Sequence, residues 1–155
     1  MKSVRLKNYG KINKDKVISF SWNNKKYQGF EGDTLASALL ANNIGVVGRS
    51  FKYHRPRGIF SSGVEESGAL VTIGSKDKRD PNVRATSQEL YDGLRARGQN
   101  AFPNVNFDLG EINNYLSRFF AVGFYYKTFM GIPPFEWGKG TTIWMLFEKL
   151  IRRAA

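Results

Sequence analysis

The sequence predicts an α+β domain, in which a small mixed sheet carries one helix across its face. Three observations lead to this prediction. Residues 17–30 alternate apolar and polar side chains, as half-buried strands do. Residues 33–42 place apolar side chains at helical spacing. Two further runs with strand character follow a long loop, so the predicted order is strand, strand, helix, loop, strand, strand.

The first two strands form a predicted hairpin. Residues 17–22 place Ile18 and its alternate neighbours on one face and serines on the other. Asn23 and Asn24 follow, and asparagine tolerates the positive φ angles that a two-residue hairpin turn requires. We therefore predict that residues 25–30 return as the second strand, with Tyr27 directed inward.

A short helix of roughly ten residues follows the hairpin. Asp33 is its predicted N-cap, because a carboxylate there accepts hydrogen bonds from the free N–H groups of the first turn. Asn42 and Asn43, followed by Gly45, are predicted to end it. The side of the helix that faces the sheet is rich in alanine, so the helix can pack closely.

The second half of the domain is less regular. Residues 69–73 are predicted to form a strand, and residues 76–82 a charged connector that contains Pro81. Residues 83–90 fit either a last strand or the start of a helix that runs to Leu94, and we favour the strand. This order of elements is that of the β-grasp fold, which we place at residues 17–95.

Composition limits what the chain can do. Its 155 residues suffice for one domain, and its net charge of +11 favours an acidic partner or a lysine-rich solvated surface. The absence of cysteine excludes disulfides, thiolate-held clusters and a cysteine nucleophile.

Residues 1–16 are basic and lack an apolar core, so we expect an N-terminal arm and no secretory signal. The longest apolar stretch, residues 119–126, is far shorter than the ~20 residues that span a bilayer. We expect a cytoplasmic protein.

The loop of residues 48–63 is the main candidate for a functional surface. It interleaves cations with aromatic rings and contains the single histidine. We expect it to contact a partner surface. The alternative is a nucleic-acid-binding loop, in which the rings stack on bases. The candidate interface residues are Arg49, Phe51, Lys52, Tyr53, His54, Arg55 and Arg57.

No catalytic or metal-binding residue is predicted. His54 has no second histidine in the chain to work with, and a structural or interface role is favoured for it. Glu65 and Glu66 are adjacent carboxylates that would point to opposite faces of a strand. We expect them to pair with nearby cations, Arg55, Arg57 or Lys52, and not to act as a catalytic pair.

Several long runs resemble the N-terminal part of the α (large) subunit of heterotetrameric sarcosine oxidase. The matching runs occur in the same order over most of the chain. They are residues 32–42 (GDTLASALLAN), 48–58 (GRSFKYHRPRG), 89–94 (ELYDGL), 99–100 (QN), 123–130 (GFYYKTFM) and 150–155 (LIRRAA). The resemblance implies a module shaped like a plant-type [2Fe–2S] ferredoxin.

Ferredoxin modules of that type bind their cluster through C-x4-C-x2-C and a distant cysteine. By the resemblance, this spacing falls on Ser61, Glu66 and Ala69. None of these residues is a thiolate, so the resemblance implies that the fold is kept and the iron–sulfur cluster is lost.

The resemblance also implies a reaction. Enzymes of this family oxidise the N-methyl amine of sarcosine through flavin, with FAD, FMN, NAD and tetrahydrofolate in the complex. This chain has no G-x-G-x-x-G fingerprint, so no cofactor-binding residue is predicted in it. We expect a non-catalytic segment that packs on the nucleotide-binding domain of the large subunit, absent from this sequence, and on the partner subunits.

Residues 96–155 differ from the rest in their many aromatic side chains. A helical stripe is predicted after Asp108, and a last helix after Thr141 or Thr142. The rings are concentrated in residues 104–155, and a segment of this size buries few rings by itself. We therefore expect the helical or irregular extension of residues 96–155 to dock on the remainder of the subunit or on another subunit. The stripe consists of Ile112, Tyr115, Leu116, Phe119 and Phe120.

Overall fold

A computed structural model describes residues 5–6, 9–75 and 78–119 of the chain. The predicted last helix, the end of the apolar stripe at Phe120 and the matching runs after residue 119 lie outside these residues. No helix in the described ranges is both long enough and apolar enough to cross a membrane.

The strands form one five-stranded mixed sheet and one small two-stranded sheet. The large sheet has the order β2-β1-β7-β5-β6, and β3 pairs with β4 in the small one. The elements are β1 (Asn13–Trp22), β2 (Lys25–Glu31), α1 (Leu35–Ala41), β3 (Gly48–Arg49), β4 (Pro56–Arg57), β5 (Leu70–Ser75), β6 (Lys78–Arg84), β7 (Arg95–Gly98) and α2 (Ile112–Tyr115), with 3-10 turns at Leu109–Glu111 and Leu116–Phe119.

The predicted hairpin is present. Its turn residues Asn23 and Asn24 have φ angles of 47° and 65°, in the left-handed region. Strand β1 begins at Asn13, four residues earlier than predicted, so part of the predicted N-terminal arm belongs to the sheet. The apolar pattern did not reveal the start of β1 because these residues are exposed. Side-chain hydrogen bonds from Asn13 and Lys16 to Glu31 hold it in place.

Helix α1 is shorter than predicted and begins differently. Its N-cap is Thr34, whose hydroxyl accepts from the Ser37 amide while the Ser37 hydroxyl accepts from the Thr34 amide. The prediction of Asp33 as N-cap is therefore wrong. The helix ends as predicted, with Asn42 as its C-cap and Asn43 at a φ of 61°.

Strand β7 lies at the centre of the sheet, although the sequence did not predict it. It runs parallel to β1, with Ser21 opposite Arg95, and antiparallel to β5. The sheet therefore extends beyond the domain boundary that was predicted at residue 95. A mixed sheet with a first hairpin, one packed helix and a parallel last strand fits the predicted β-grasp fold.

Strand β6 occupies most of the predicted charged connector, and the predicted strand at residues 83–90 ends at Arg84. Pro81 is tolerated because β6 is the edge strand of the sheet. After Arg84 the chain turns inward, and the Ala85 amide donates to the Ala69 carbonyl. The charged residues and Pro81 did not suggest a strand here, because an exposed edge strand needs few apolar side chains.

The core lies between the sheet and α1. Its side chains come from both faces of this contact and from the loops that close its ends. The buried apolar residues are Ile18, Phe20, Trp22, Leu35, Ala36, Ala38, Leu39, Val47, Ala69, Val71, Ala85, Leu90, Leu94 and Ala96.

Asp33 connects the start of the chain to this core. Both of its carboxylate oxygens accept from the Arg5 guanidinium, at 2.9 and 2.7 Å, and they also accept from the Phe30 amide and the Ser37 hydroxyl. Burial alone would raise the pKa of Asp33, but the hydrogen bonds from Arg5, Ser37 and Phe30 lower it below its ordinary value.

Replacing Asp33 is expected to destabilise the whole domain. Asp33→Ala leaves the Arg5 cation and the Phe30 amide without their acceptor, so the free energy of unfolding should fall by about 2–4 kcal/mol. Urea unfolding measures this change. The matched control Asp15→Ala, at an exposed site in β1, should change stability by less than about 0.5 kcal/mol. Equal effects of the two substitutions would contradict the assigned role of Asp33.

Candidate functional site

The three residues at the predicted cluster-ligand spacing lie together on one loop. This loop, residues 58–69, connects β4 to β5. Glu66 and Ala69 are buried in it, with exposed fractions of 2% and 0%, and Ser61 is half-buried. The backbone amides of Ser61 and Ala69 both donate to the Glu66 carboxylate.

The Glu66 carboxylate is the centre of the loop. Its Oε2 accepts from the amides of Phe60 and Ser61, at 2.6 and 2.7 Å. Its Oε1 accepts from the amides of Gly68 and Ala69, at 2.5 and 3.2 Å. The prediction that Glu66 pairs with lysine or arginine is wrong, because these donors are backbone N–H groups. We define these four amides and the carboxylate as the Glu66 nest.

The nest holds Glu66 in its charged form. Burial alone would raise the pKa of Glu66, but the N–H donors of Ser61, Gly68, Phe60 and Ala69 lower the pKa from its ordinary 4.5 to about 2. The carboxylate is therefore ionised at neutral pH although it is shielded from water.

Neighbouring groups fix the outside of this loop. The Thr86 hydroxyl donates to the Gly63 carbonyl at 2.7 Å, and the Arg84 Nε donates to the Glu66 carbonyl at 3.2 Å. Gly68 is needed for close packing, since a Cβ there would lie 2.8 Å from the Gly58 carbonyl oxygen. Glu65, by contrast, is exposed and accepts from the Gly63 amide.

Arg49, one of the predicted interface residues, is buried inside the domain. Its Nε donates to the Val105 carbonyl and its Nη1 to the His54 carbonyl, both at 2.9 Å. Its Nη1 also lies 3.3 Å from a Glu111 carboxylate oxygen. With 7% of its surface exposed, Arg49 supports the following loop from within.

His54 has a partner that the sequence pattern did not indicate. Its Nδ1 lies 2.7 Å from Oδ2 of Asp108, whose other oxygen accepts from the amides of Phe102 and Gly110. Burial would raise the pKa of Asp108, but the Phe102 amide, His54 and Gly110 lower it. The pair joins two loops that are 54 residues apart in the chain.

The remaining candidate residues form a surface beside this pair. Tyr53 contacts two cations, with the Lys52 Nζ 4.8 Å and the Arg55 Cζ 4.7 Å from its ring centroid. The Arg55 Nε donates to Asn114, Arg57 is exposed, and Phe51 is half-buried. These contacts give no support to the nucleic-acid alternative.

Within the described ranges, no three histidine, cysteine, aspartate or glutamate side chains are grouped to hold a metal ion. The buried acids accept hydrogen bonds from backbone amides and from side chains that are distant in the sequence.

Comparison with known proteins identifies the family. A family model described as "2Fe-2S iron-sulfur cluster binding domain" matches residues 15–101. The chain belongs to this family. The match begins within β1 and ends just after β7, so it covers all of the large sheet except the first two residues of β1.

Two relatives of the chain agree with the resemblance seen in the sequence. The chain is 53% identical over 155 residues to "Sarcosine oxidase subunit alpha" of Rhizobium meliloti (strain 1021), covering 100% of this chain and 15% of that protein. It is 43% identical over 89 residues to the protein of the same name from Corynebacterium sp. (strain U-96), covering 56% and 9%. The chain is therefore homologous to a small part of the sarcosine oxidase α subunit.

A solved structure, "Crystal structure of L-proline dehydrogenase from P.horikoshii", also matches, at 25% identity and a TM-score of 0.46. That match covers 57% of this chain and 16% of the other.

The cluster that gives the family its description does not fit this member. Such clusters are held by cysteine thiolates, and the chain has none. Ala69 has no donor atom in its side chain, and the Glu66 carboxylate fills the loop that would surround the cluster.

Stability in acid should report the charge on Glu66. The pKa of Glu66 is lower in the folded protein than in the unfolded chain. Its contribution to folding stability is therefore complete above pH 4.5 and is lost as the pH falls towards about 2. Glu66→Gln lacks this contribution. Urea unfolding of both proteins from neutral pH to about pH 3 should show a difference in stability that shrinks steadily in acid.

Asp33 and Asp108 also have lowered pKa values, so both proteins lose stability in acid and only the difference between them isolates Glu66. A difference that stays constant with pH would show that the charge on Glu66 does not stabilise the fold.

Proposed function

We propose that this chain is a non-catalytic, structural part of the large subunit of a flavin-dependent sarcosine oxidase. The observation that carries the proposal is the 53% identity to a sarcosine oxidase α subunit over all 155 residues. That match includes the segment beyond the family model, so it extends past the β-grasp module alone.

The chemistry of the described residues supports a structural role. Buried side-chain nitrogens and oxygens in these ranges all have hydrogen-bond partners, as expected of groups that hold a fold together. The buried acids Asp33, Glu66 and Asp108 each accept several hydrogen bonds within the domain. In this proposal, flavin oxidation of the N-methyl amine takes place elsewhere in the complex, where FAD, FMN and NAD bind.

An exposed apolar surface supports docking on the rest of the subunit. Residues 102–116 expose six large apolar side chains, by between 42% and 82% of their surface. Apolar exposure concentrated in one segment indicates an interaction site. These side chains are Phe102, Phe107, Leu109, Ile112, Tyr115 and Leu116. We name them the 102–116 surface.

We assign the 102–116 surface to the remainder of a large subunit because the chain spans about 15% of its Rhizobium relative. The exposed cation Arg55 is hydrogen-bonded to Asn114 beside this surface, and exposed Arg57 follows in β4. Both would contact acidic groups at the edge of the same interface. Partner subunits and a cytoplasmic location belong to this proposal as well.

Co-expression tests the proposed function. The chain should co-purify with the other polypeptides of a sarcosine oxidase, and the complex should show flavin absorbance and sarcosine-dependent formation of hydrogen peroxide. Within this complex, Tyr115→Ser should weaken association by about 1–2 kcal/mol, because it removes an exposed ring from the 102–116 surface.

The matched control is Tyr91→Ser, which removes a ring that is 51% exposed outside the 102–116 surface and should leave association unchanged. A chain that purifies without any of these polypeptides, and that binds single-stranded DNA in a salt-dependent manner, would overturn the proposed function.

A further inference from the structure

The loop of residues 58–69 closes around a negative charge, although the family's cluster cannot bind there. Phe60 and Ser61 donate from the start of the loop, and Gly68 and Ala69 donate from its end. Converging backbone N–H groups form concave anion sites, and many iron–sulfur sites are of this kind. The geometry of an anion site has therefore been kept in a chain without cysteine.

We propose that the Glu66 side chain is a built-in substitute for the iron–sulfur cluster, supplying the anion around which this loop closes. Glu66 stands at the middle one of the three positions with ligand spacing. Its two oxygens reach the backbone of the first position, Ser61, and of the third, Ala69. One side chain thus joins all three positions, as a bound cluster would.

The surrounding residues suit a carboxylate of this size. Ser61 and Ala69 are small, which leaves room for the glutamate side chain between them. Gly68 has no side chain, which lets its amide approach Oε1 while its Cα packs against Gly58 and the Phe60 ring. A glutamine at position 66 would offer one oxygen and one NH2 group to four backbone N–H donors. Two of these N–H groups would then face the NH2 group, which is itself a donor and cannot accept their hydrogen bonds.

The functional consequence is a module whose loop does not depend on iron or on redox conditions. A cluster-bound loop loses its organising group when iron is scarce or the cluster is oxidised. In the Glu66 nest the anion is a side chain of the protein, so it is always present. This inference concerns the loop alone, so it stands or falls independently of the sarcosine oxidase assignment.

Chemical rescue tests the substitution directly. Glu66→Ala removes a CH2–COO⁻ group, which has the same heavy atoms as acetate. The variant of the full chain should lose about 5–15 °C in melting temperature, because four N–H donors lose their charged acceptor. Sodium acetate should then raise the melting temperature saturably, since a ligand that binds only the folded state stabilises it.

Sodium chloride at equal ionic strength is the control for salt, and Glu65→Ala is the control for position, since Glu65 is exposed beside the nest. Neither wild type nor Glu65→Ala should respond specifically to acetate. Absence of an acetate effect on a folded Glu66→Ala protein, or an equal effect on Glu65→Ala, would overturn the proposal.

Hydrogen exchange in the wild-type chain tests the same proposal if Glu66→Ala does not fold. The amides of Phe60, Ser61, Gly68 and Ala69 should exchange at least about 10-fold more slowly than those of the exposed serines between them, Ser62 and Ser67. Equal exchange rates along the loop would mean that the carboxylate does not organise it, and would overturn the proposal.

Discussion

Four backbone N–H groups that converge on one buried carboxylate determine how the loop between β4 and β5 is arranged. The Glu66 nest closes the loop that leads into β5. The same loop receives hydrogen bonds from Arg84 and Thr86, at the end of β6 and just beyond it. Because Ala69 also accepts from the Ala85 amide, the position of the loop sets where the edge of the sheet begins. An ionised group without water is costly unless donors surround it, and here the backbone supplies them.

Two other buried acids perform a related task at the ends of the domain. Asp33 attaches Arg5 to the start of α1, and Asp108 attaches His54 to the segment after β7. Each acid combines backbone donors with one cationic or ring partner that is distant in the chain. The domain thus uses buried carboxylates to join loops that are distant in the sequence.

The elements with a local signal were predictable. The Asn23-Asn24 turn and the apolar spacing of α1 are properties of neighbouring residues, and both were found. Strand β7 was missed because its four residues, two of them arginine, gain their place only by pairing with β1 and β5. Asp33 was given the wrong role, since its best donor, Arg5, is 28 residues away. The partner of Glu66 was also missed, because backbone donors do not appear in a side-chain pattern.

The central claim is that the Glu66 carboxylate organises both sides of its loop. The most direct test compares the backbone 1H–15N spectra of the wild-type chain and Glu66→Gln at neutral pH. The account predicts large shifts at Phe60 and Ser61, before Glu66, and at Gly68 and Ala69, after it. Shifts limited to residues 65–67 would contradict the account, because they would mean that the carboxylate affects only its immediate neighbours in the chain.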